Sequence, residues 1–523
     1  MNHSINSILT RIAGLLLFAA LLPAVAKAQP AQRPDLVAVI TVEGLSADYL
    51  HLLKPMFTPG GFNKLMNSGV TFDRIDFGPG IDPAAGTAII HTGASPMVNG
   101  IPAAKVYDVA TKLARSPLHD PAMMGNFTDE TFSPTPLKVS TIADELRIAT
   151  NGAGRAYAVA PVNHEAIIGA GHAGNGAFWI NEMTGNWATS TYFKEMPAAV
   201  KNRNYRNSLA SRLDTMRWTP LLNLSLYPGL SRQEMQKPFR INFPSKDVQR
   251  VRRYLQSPLS NTEVTDVAID LINETSLGKG NSTDIISLAY TIPTDASQAE
   301  IIDSYLRLDR DLARLFQALP ADQSTVLLTG VPSVSGTAPD SKQWNIPSGL
   351  YSVKRAISLL DIQLMAVHGN GDWILGYYDR NFYLNRKLIK DRGLNLQDFR
   401  REVADFLARM AGVSNVVTID DIAASRAGDN PRALKRNTSM AHAGDVIIEV
   451  SPGWQIIDDG TGKASGVQRH TAIDIPAFIV APELKRLQIT EATDARVLAP
   501  TLSRLLLIRA PNGASQPALH LIP

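Results

Sequence analysis

The stretch Leu36–Val42, LVAVITV, leaves this chain few folds to adopt. A strand with one solvated face alternates apolar and polar residues. A near-continuous apolar, β-branched run is instead the mark of a strand buried on both faces of a parallel sheet. Asp284–Tyr290 (DIISLAY) and Thr325–Thr329 (TVLLT) carry the same mark. Between them Ile301, Tyr305, Leu308, Leu312 and Leu315 are spaced along one face of a long helix. Strand, helix and strand at that spacing make a right-handed parallel βαβ unit, so the chain reads as α/β. Arg155–Ala160 is a further buried strand, and Gly176–Ile180 with Ala188–Tyr192 reads as a hairpin around Thr184-Gly185-Asn186. Leu36–Val42 runs into Glu43-Gly44, placing a carboxylate at the C-terminal edge of the sheet, where open α/β sheets bind ligands.

Ahead of this strand, Arg11, the apolar run Ile12–Leu22 and Ala26-Lys27-Ala28 make residues 1–28 read as a signal peptide. Cleavage near Ala28 predicts a periplasmic or secreted protein, and no later stretch reaches spanning length, so membrane insertion is not expected. The absence of cysteine excludes disulfides, thiolate-bound zinc and iron–sulfur clusters. The formal charge of +3 falls to about +1 once Arg11 and Lys27 are removed, which gives no support to a nucleic-acid partner.

The segment Gly78–Ile101 places Pro83 where helices tolerate proline, at the first position of a short helix through Ile90. A helix entered from a Gly-rich loop offers free N–H groups, here those of Ala84 and Ala85, to an anion; a tight packing turn is the alternative. Ser140 is the candidate cap of a helix carrying Ile142, Leu146 and Ala149. Residues 202–282 read as irregular surface with one helix near Val264–Ile272, and Asp303–Arg307 and Arg307–Asp311 as i,i+4 pairs on a helix flank. From 348 to 419 the pattern becomes an inserted α+β unit, with a helix capped by Ser352, a hairpin around Trp373–Leu388, a helix capped by Asn395 and a strand at Val416–Ile419. Asp445–Val450 and Ala477–Val480 are assigned to the main sheet, and a last helix lies near Ala495–Leu507.

Several longer stretches carry a resemblance. They are VEGLSADYL from Val42, GGFNKLMNSG from Gly60, HTGASPMVNGI from His91, AGHAGNGAFWINEMTGNWATSTYF from Ala170, SYLRLDRDLARLF from Ser304 and LAPTLSRLL from Leu498. Together they resemble the alkaline phosphatase superfamily, in particular its exported bacterial members with a Thr nucleophile and the neighbouring type I phosphodiesterases and nucleotide pyrophosphatases. The resemblance implies a three-layer α/β sandwich with a mostly parallel central sheet, a core over residues 35–510 and the inserted unit at 348–419. It also implies two-zinc phosphoryl transfer, in which the metals activate the nucleophile and stabilise the leaving oxygen.

The residues that would perform this chemistry are largely replaced. The family's first-strand Asp falls on Glu43, its nucleophilic Thr on Pro83, and its phosphate-binding Asn on Ala104. Its substrate-clamping Lys and Arg fall on Val162 and His164, and a strand-end Asp falls near Thr294. Its Asp-His pair lands on Val331 and Pro332, and its last metal His near Ser465, with His470 the nearby histidine. Val and Pro cannot ligate zinc, so no metal cofactor and no catalytic residue are expected. Asp82 beside Pro83, with Glu43, makes an acidic spot able to hold one cation; His91, and His442 with Asp445, are weaker candidates. The leading expectation is a catalytically inactive pseudo-phosphatase that binds an unknown ligand or envelope protein. The alternatives are a divergent metal-dependent phosphomonoesterase or phosphodiesterase, and a protein that docks through residues 348–419.

Overall fold

The computed structural model describes residues 33–523 except 195, 207, 334–344, 346, 425–434, 452, 459–462, 465–473 and 522–523. The expected signal peptide, Ser465 and His470 lie outside the described residues. The ten-stranded main sheet runs in the order Leu487–Ile489, Val70–Phe72, Ala477–Val480, Ser324–Val331, Leu36–Glu43, Asp284–Thr291, Ala156–Val159, Gly176–Ile180, Trp187–Ser190 and Gly125–Asn126. Leu36–Glu43 is central and parallel to both its neighbours. Its side chains feed two different cores. Leu36, Ala38, Ile40 and Val42 join the cluster under the helices Pro258–Thr275 and Gln298–Ala318. Val37 and Val39 join the opposite one, under Pro83–Thr92 and Leu498–Leu505. One strand filling two cores is what a mostly parallel sheet between two helical layers requires, and it explains the uninterrupted apolar run. The hairpin at Gly176–Ile180 and Trp187–Ser190 is antiparallel, with the Asn181 side chain accepting the N–H groups of Met183 and Thr184 at 3.0 and 2.9 Å.

Several local expectations are corrected. Thr141, not Ser140, caps the helix Ile142–Ala149, because Thr141 and Asp144 form a reciprocal capping box while the Ser140 hydroxyl donates to Glu145 at 2.6 Å. Residues 202–282 hold several short helices and the 18-residue helix Pro258–Thr275. The expected Asp303–Arg307 pair forms, but Asp303 has further donors. It is fully buried and accepts from Trp218 Nε1 at 2.7 Å, Leu221 N–H at 2.6 Å, Tyr227 Oη at 2.6 Å and Arg307 Nε at 2.6 Å. Asp311 takes Thr262 and Arg314 as partners at 2.8 and 3.2 Å.

The inserted unit is larger than 348–419. Val446–Val450 does not enter the main sheet; it pairs antiparallel with both Asn381–Leu384 and Val413–Thr418, completing a four-stranded sheet with Ile374–Tyr378. Of the two strands assigned there, Ala477–Val480 alone joins the main sheet, antiparallel to Ser324–Val331. Gly349–Ser352 likewise pairs with Trp454–Asp458. Asp445 anchors the added strand, accepting from the Leu384 N–H at 3.0 Å, Arg386 at 2.9 Å and Arg400 at 2.6 Å. It makes no pair with His442, whose Nδ1 lies 3.0 Å from Ser439 Oγ.

Candidate functional site at the C-terminal edge of the sheet

The central strand and its two parallel neighbours end level with one another, Glu43 standing beside Thr291 and Val331. The chain then bends over this edge, with Ile292 N–H donating to the Glu43 carbonyl at 2.8 Å and Gly44 N–H to that of Val331 at 3.3 Å. Gly44 has φ +78°, and a Cβ there would meet the Ile292 carbonyl at 2.6 Å and Thr294 Cγ2 at 2.8 Å, so the crossing needs glycine. The fold therefore gathers sequence-distant positions: Thr294 Oγ1 lies 2.9 Å from Ser333 Oγ, which donates to Glu43 Oε1 at 3.4 Å.

One wall is the helix Pro83–Thr92, all of whose residues are buried. Asp82 caps it, its Oδ1 accepting the N–H groups of Ala84 at 2.9 Å and of Ala104 at 3.0 Å. The expected anion site is thus filled by the chain's own carboxylate. Pro83 occupies the first helical position, and one turn along, a Cβ on Gly86 would meet Pro332 Cδ at 3.0 Å and Val331 Cβ at 3.2 Å. The helix start and the strand end are therefore in direct apolar contact.

The second wall is the helix Asn163–Ala170, with Val162 as its N-cap. Gly169 lies against Ser287 and Ala158 of the sheet, its carbonyl accepting from Ser287 Oγ at 3.0 Å. Glu165 is four residues earlier on the same face and so faces the sheet one turn closer to its C-terminal edge. It is 6% exposed. The roof comes from the inserted unit, where Tyr107 Oη donates to the Leu375 carbonyl at 3.3 Å and the Tyr107 ring stacks on Tyr378 at 6.3 Å. Asp379 follows at the tip of that hairpin, with Arg380 3.6 Å away.

Electrostatically the cleft is acidic. Burial and the nearby Asp82 carboxylate push Glu43 up to about 7, against a small opposing effect of the Ser333 hydroxyl. Burial raises Asp82 to about 6 although the N–H groups it accepts favour its ionised form. Glu165 is raised well above the usual carboxylate range by burial and by the charges of Glu43 and Asp82. His164 is pushed down to about 4 by burial and by Lys105, so it is neutral at pH 7 and does not replace a cationic clamp. His91 is buried on its helix, with Nδ1 unpartnered and a pKa lowered to about 4 by burial alone, and has no place in the cleft's hydrogen-bond network.

The structure thus brings Glu43, Pro83, Thr294, Val331 and Pro332 to one edge, and Ala104 joins them through its N–H to Asp82. Val162 and His164 begin the facing helix. Sequence reasoning missed Glu165, the one acid inside the apolar stretch Ala166–Ala170 and its preceding turn, whose burial depends on strands 7 to 122 residues away. A dinuclear zinc centre does not fit this donor set. The positions facing Glu43 are Val331, Pro332 and Pro83, which have no donor side chain, and among the described residues no three His, Asp or Glu side chains are arranged to share a metal.

Comparison with known proteins agrees with the architecture. Residues 37–472 match the family model for type I phosphodiesterase / nucleotide pyrophosphatase. The chain is 26% identical over 518 residues to alkaline phosphatase PafA of Elizabethkingia meningoseptica, covering 93% of this chain and 94% of that protein. It is also 26% identical over 529 residues to a Myroides odoratus protein named calcium-transporting ATPase, covering 94% and 95% of the two chains. A crystal structure of wild-type PafA superposes with a TM-score of 0.81 at 25% identity, over 94% of this chain and 99% of that one. With the fold, the matched span and the sheet-edge cleft in agreement, the chain belongs to the type I phosphodiesterase / nucleotide pyrophosphatase family of the alkaline phosphatase superfamily.

Proposed function

We propose that this protein is a non-catalytic member of its family, exported to the periplasm or beyond, that uses the sheet-edge cleft to bind a ligand. The observation that carries this reading is Pro83. It stands at the helix start that opens on Glu43, and a proline has no hydroxyl to attack phosphorus. The surroundings support it: Val331 and Pro332 pack on Gly86 where metal ligands would have to stand, and neutral His164 and Val162 supply no clamp for a phosphate. Asp82, raised only to about 6, keeps a negative charge at pH 7 in this cleft, and like charge repels a phosphate ester rather than drawing it in. Purified protein should release no product from aryl phosphate mono- or diesters and should carry no stoichiometric zinc. Turnover that is lost in Glu43→Ala would overturn this reading.

A second reading has one observation in its favour. Glu43 keeps a carboxylate at the first strand's end, and the relatives of 26% identity include a named alkaline phosphatase. A divergent esterase would work through that carboxylate with a single metal. The same assay separates the two, because only this reading predicts metal-dependent turnover.

A further inference from the structure

We propose that a cavity beside the cleft, walled by the ribbon Arg217–Trp218 and Ile241–Asn242, binds an apolar α-amino acid as its zwitterion. The cavity has a volume of about 490 Å³, within the range of small-molecule sites, and borders the loop that follows Asp284–Thr291. Pro293, Asp295 and Ala296 of that loop line it, whereas Thr294 between them meets Ser333 in the cleft at 2.9 Å. The loop is therefore a wall shared by two separate sites, and the inference does not depend on whether the cleft is catalytic.

Part of the lining is apolar and held in place. Trp218 is 3% exposed; its Nε1 donates to Asp303 at 2.7 Å, and its ring packs edge-on against Phe239 with centroids 5.3 Å apart. With its N–H spent on Asp303, the indole offers the cavity only ring surface. Ile241 stands opposite Trp218 in the ribbon, and Pro244 and Pro293 extend the apolar surface. A lining fixed before the ligand arrives loses little freedom on binding.

Arg240, Arg253, Asp295 and Glu300 supply charge to this lining, and two of them are already engaged. Arg253 pairs with Asp247 at 2.7 Å, and Glu300 accepts the Ser297 N–H and hydroxyl at 2.8 and 2.9 Å in the cap of Gln298–Ala318. Arg240 and Asp295 are left, both exposed and neither in an ion pair or hydrogen bond with any described residue. Glu43, whose charge reaches Asp295, has the same sign and does not answer it. A spare cation and a spare anion on one cavity complement a ligand that carries both charges on a small apolar body. A guanidinium takes a carboxylate through paired N–H···O bonds, and a carboxylate takes an ammonium. A ligand with one charge would leave Arg240 or Asp295 unanswered. The amides of Asn242 and Gln256 also line the cavity and can donate to the one group and accept from the other.

The test is calorimetric titration of the full mature chain with L-leucine and L-phenylalanine at about pH 7, where both their charges are present. Separate arms use 4-methylpentanoate and 3-methylbutylamine, the leucine skeleton without its ammonium and without its carboxylate. Leucine should bind with one-to-one stoichiometry, and each single-charge compound about fivefold more weakly, as expected for one charge-assisted pair at an exposed site. Arg240→Gln and Asp295→Asn should each weaken leucine binding by about the same factor. Both residues are exposed, so the variants should keep the fold, which circular dichroism checks. No saturable binding of either amino acid below about 10 mM, leucine binding unchanged in either variant, or a single-charge compound that matches leucine would each overturn the proposal.

Discussion

Asp303 and Glu165 are two deeply buried acids, 0% and 6% exposed, on opposite layers of one sheet, and they are treated in opposite ways. Asp303 accepts from an indole, a backbone N–H, a phenol and a guanidinium, and so ties residues 218–227 to the long helix Gln298–Ala318. Glu165 has none of these and has two acids for neighbours. A buried carboxylate whose acceptor sites are all satisfied is architecture. One set by burial among other acids relieves the cost by holding its proton instead.

The contrast can be broken in order of expected effect. Asp303→Ala should cost about 3–5 kcal/mol of unfolding free energy, because it strands Arg307 and three other donors; a loss below about 1 kcal/mol in urea titrations would erase the distinction. Glu43→Gln should act in the opposite direction. Its folded acidity lies at about 7, above the ordinary 4.5, so the folded state holds the proton more tightly than the unfolded chain does. Stability is therefore full below about 4.5 and declines as the pH rises through about 7, and removing the ionisable group should recover about 2–3 kcal/mol at pH 8 and nothing at pH 4. Asp82 follows the same sign over about 3.8 to 6. Wild-type thermal midpoints should accordingly fall from pH 5 to pH 8. The smallest effect is that of Pro83→Thr, about 0.5–1 kcal/mol of lost stability from a more flexible unfolded chain, with no phosphatase activity gained.

The main sheet was legible because a strand buried on both faces leaves an aperiodic apolar run, and Leu36–Glu43, Asp284–Thr291 and Ser324–Val331 are such strands. Val446–Val450 was assigned to the wrong sheet because it alternates buried and half-buried residues, a pattern that gives a strand's faces but not its partners. The resemblance assigned the emptied positions, and the geometry put them together: Thr294 touches Ser333, and Gly86 touches Val331 and Pro332. The acids were harder. Asp303 has Arg307 four residues on, and that spacing suggests a surface pair; its other donors come from 76 to 85 residues away. Glu165 gives no local sign, since the acids that act on it, Glu43 and Asp82, lie about 120 and 80 residues earlier.

The close fit of Gly86 against Val331 and Pro332 also bears on how the lineage could change. Gly86, Val331 and Pro332 share one packed surface, so substitutions among them are coupled rather than additive. Lone polar residues at 331 or 332 would be buried against the helix without a partner. A polar group at any of these positions is tolerable only when its partner arrives with it, so variation at 86, 331 and 332 should be correlated.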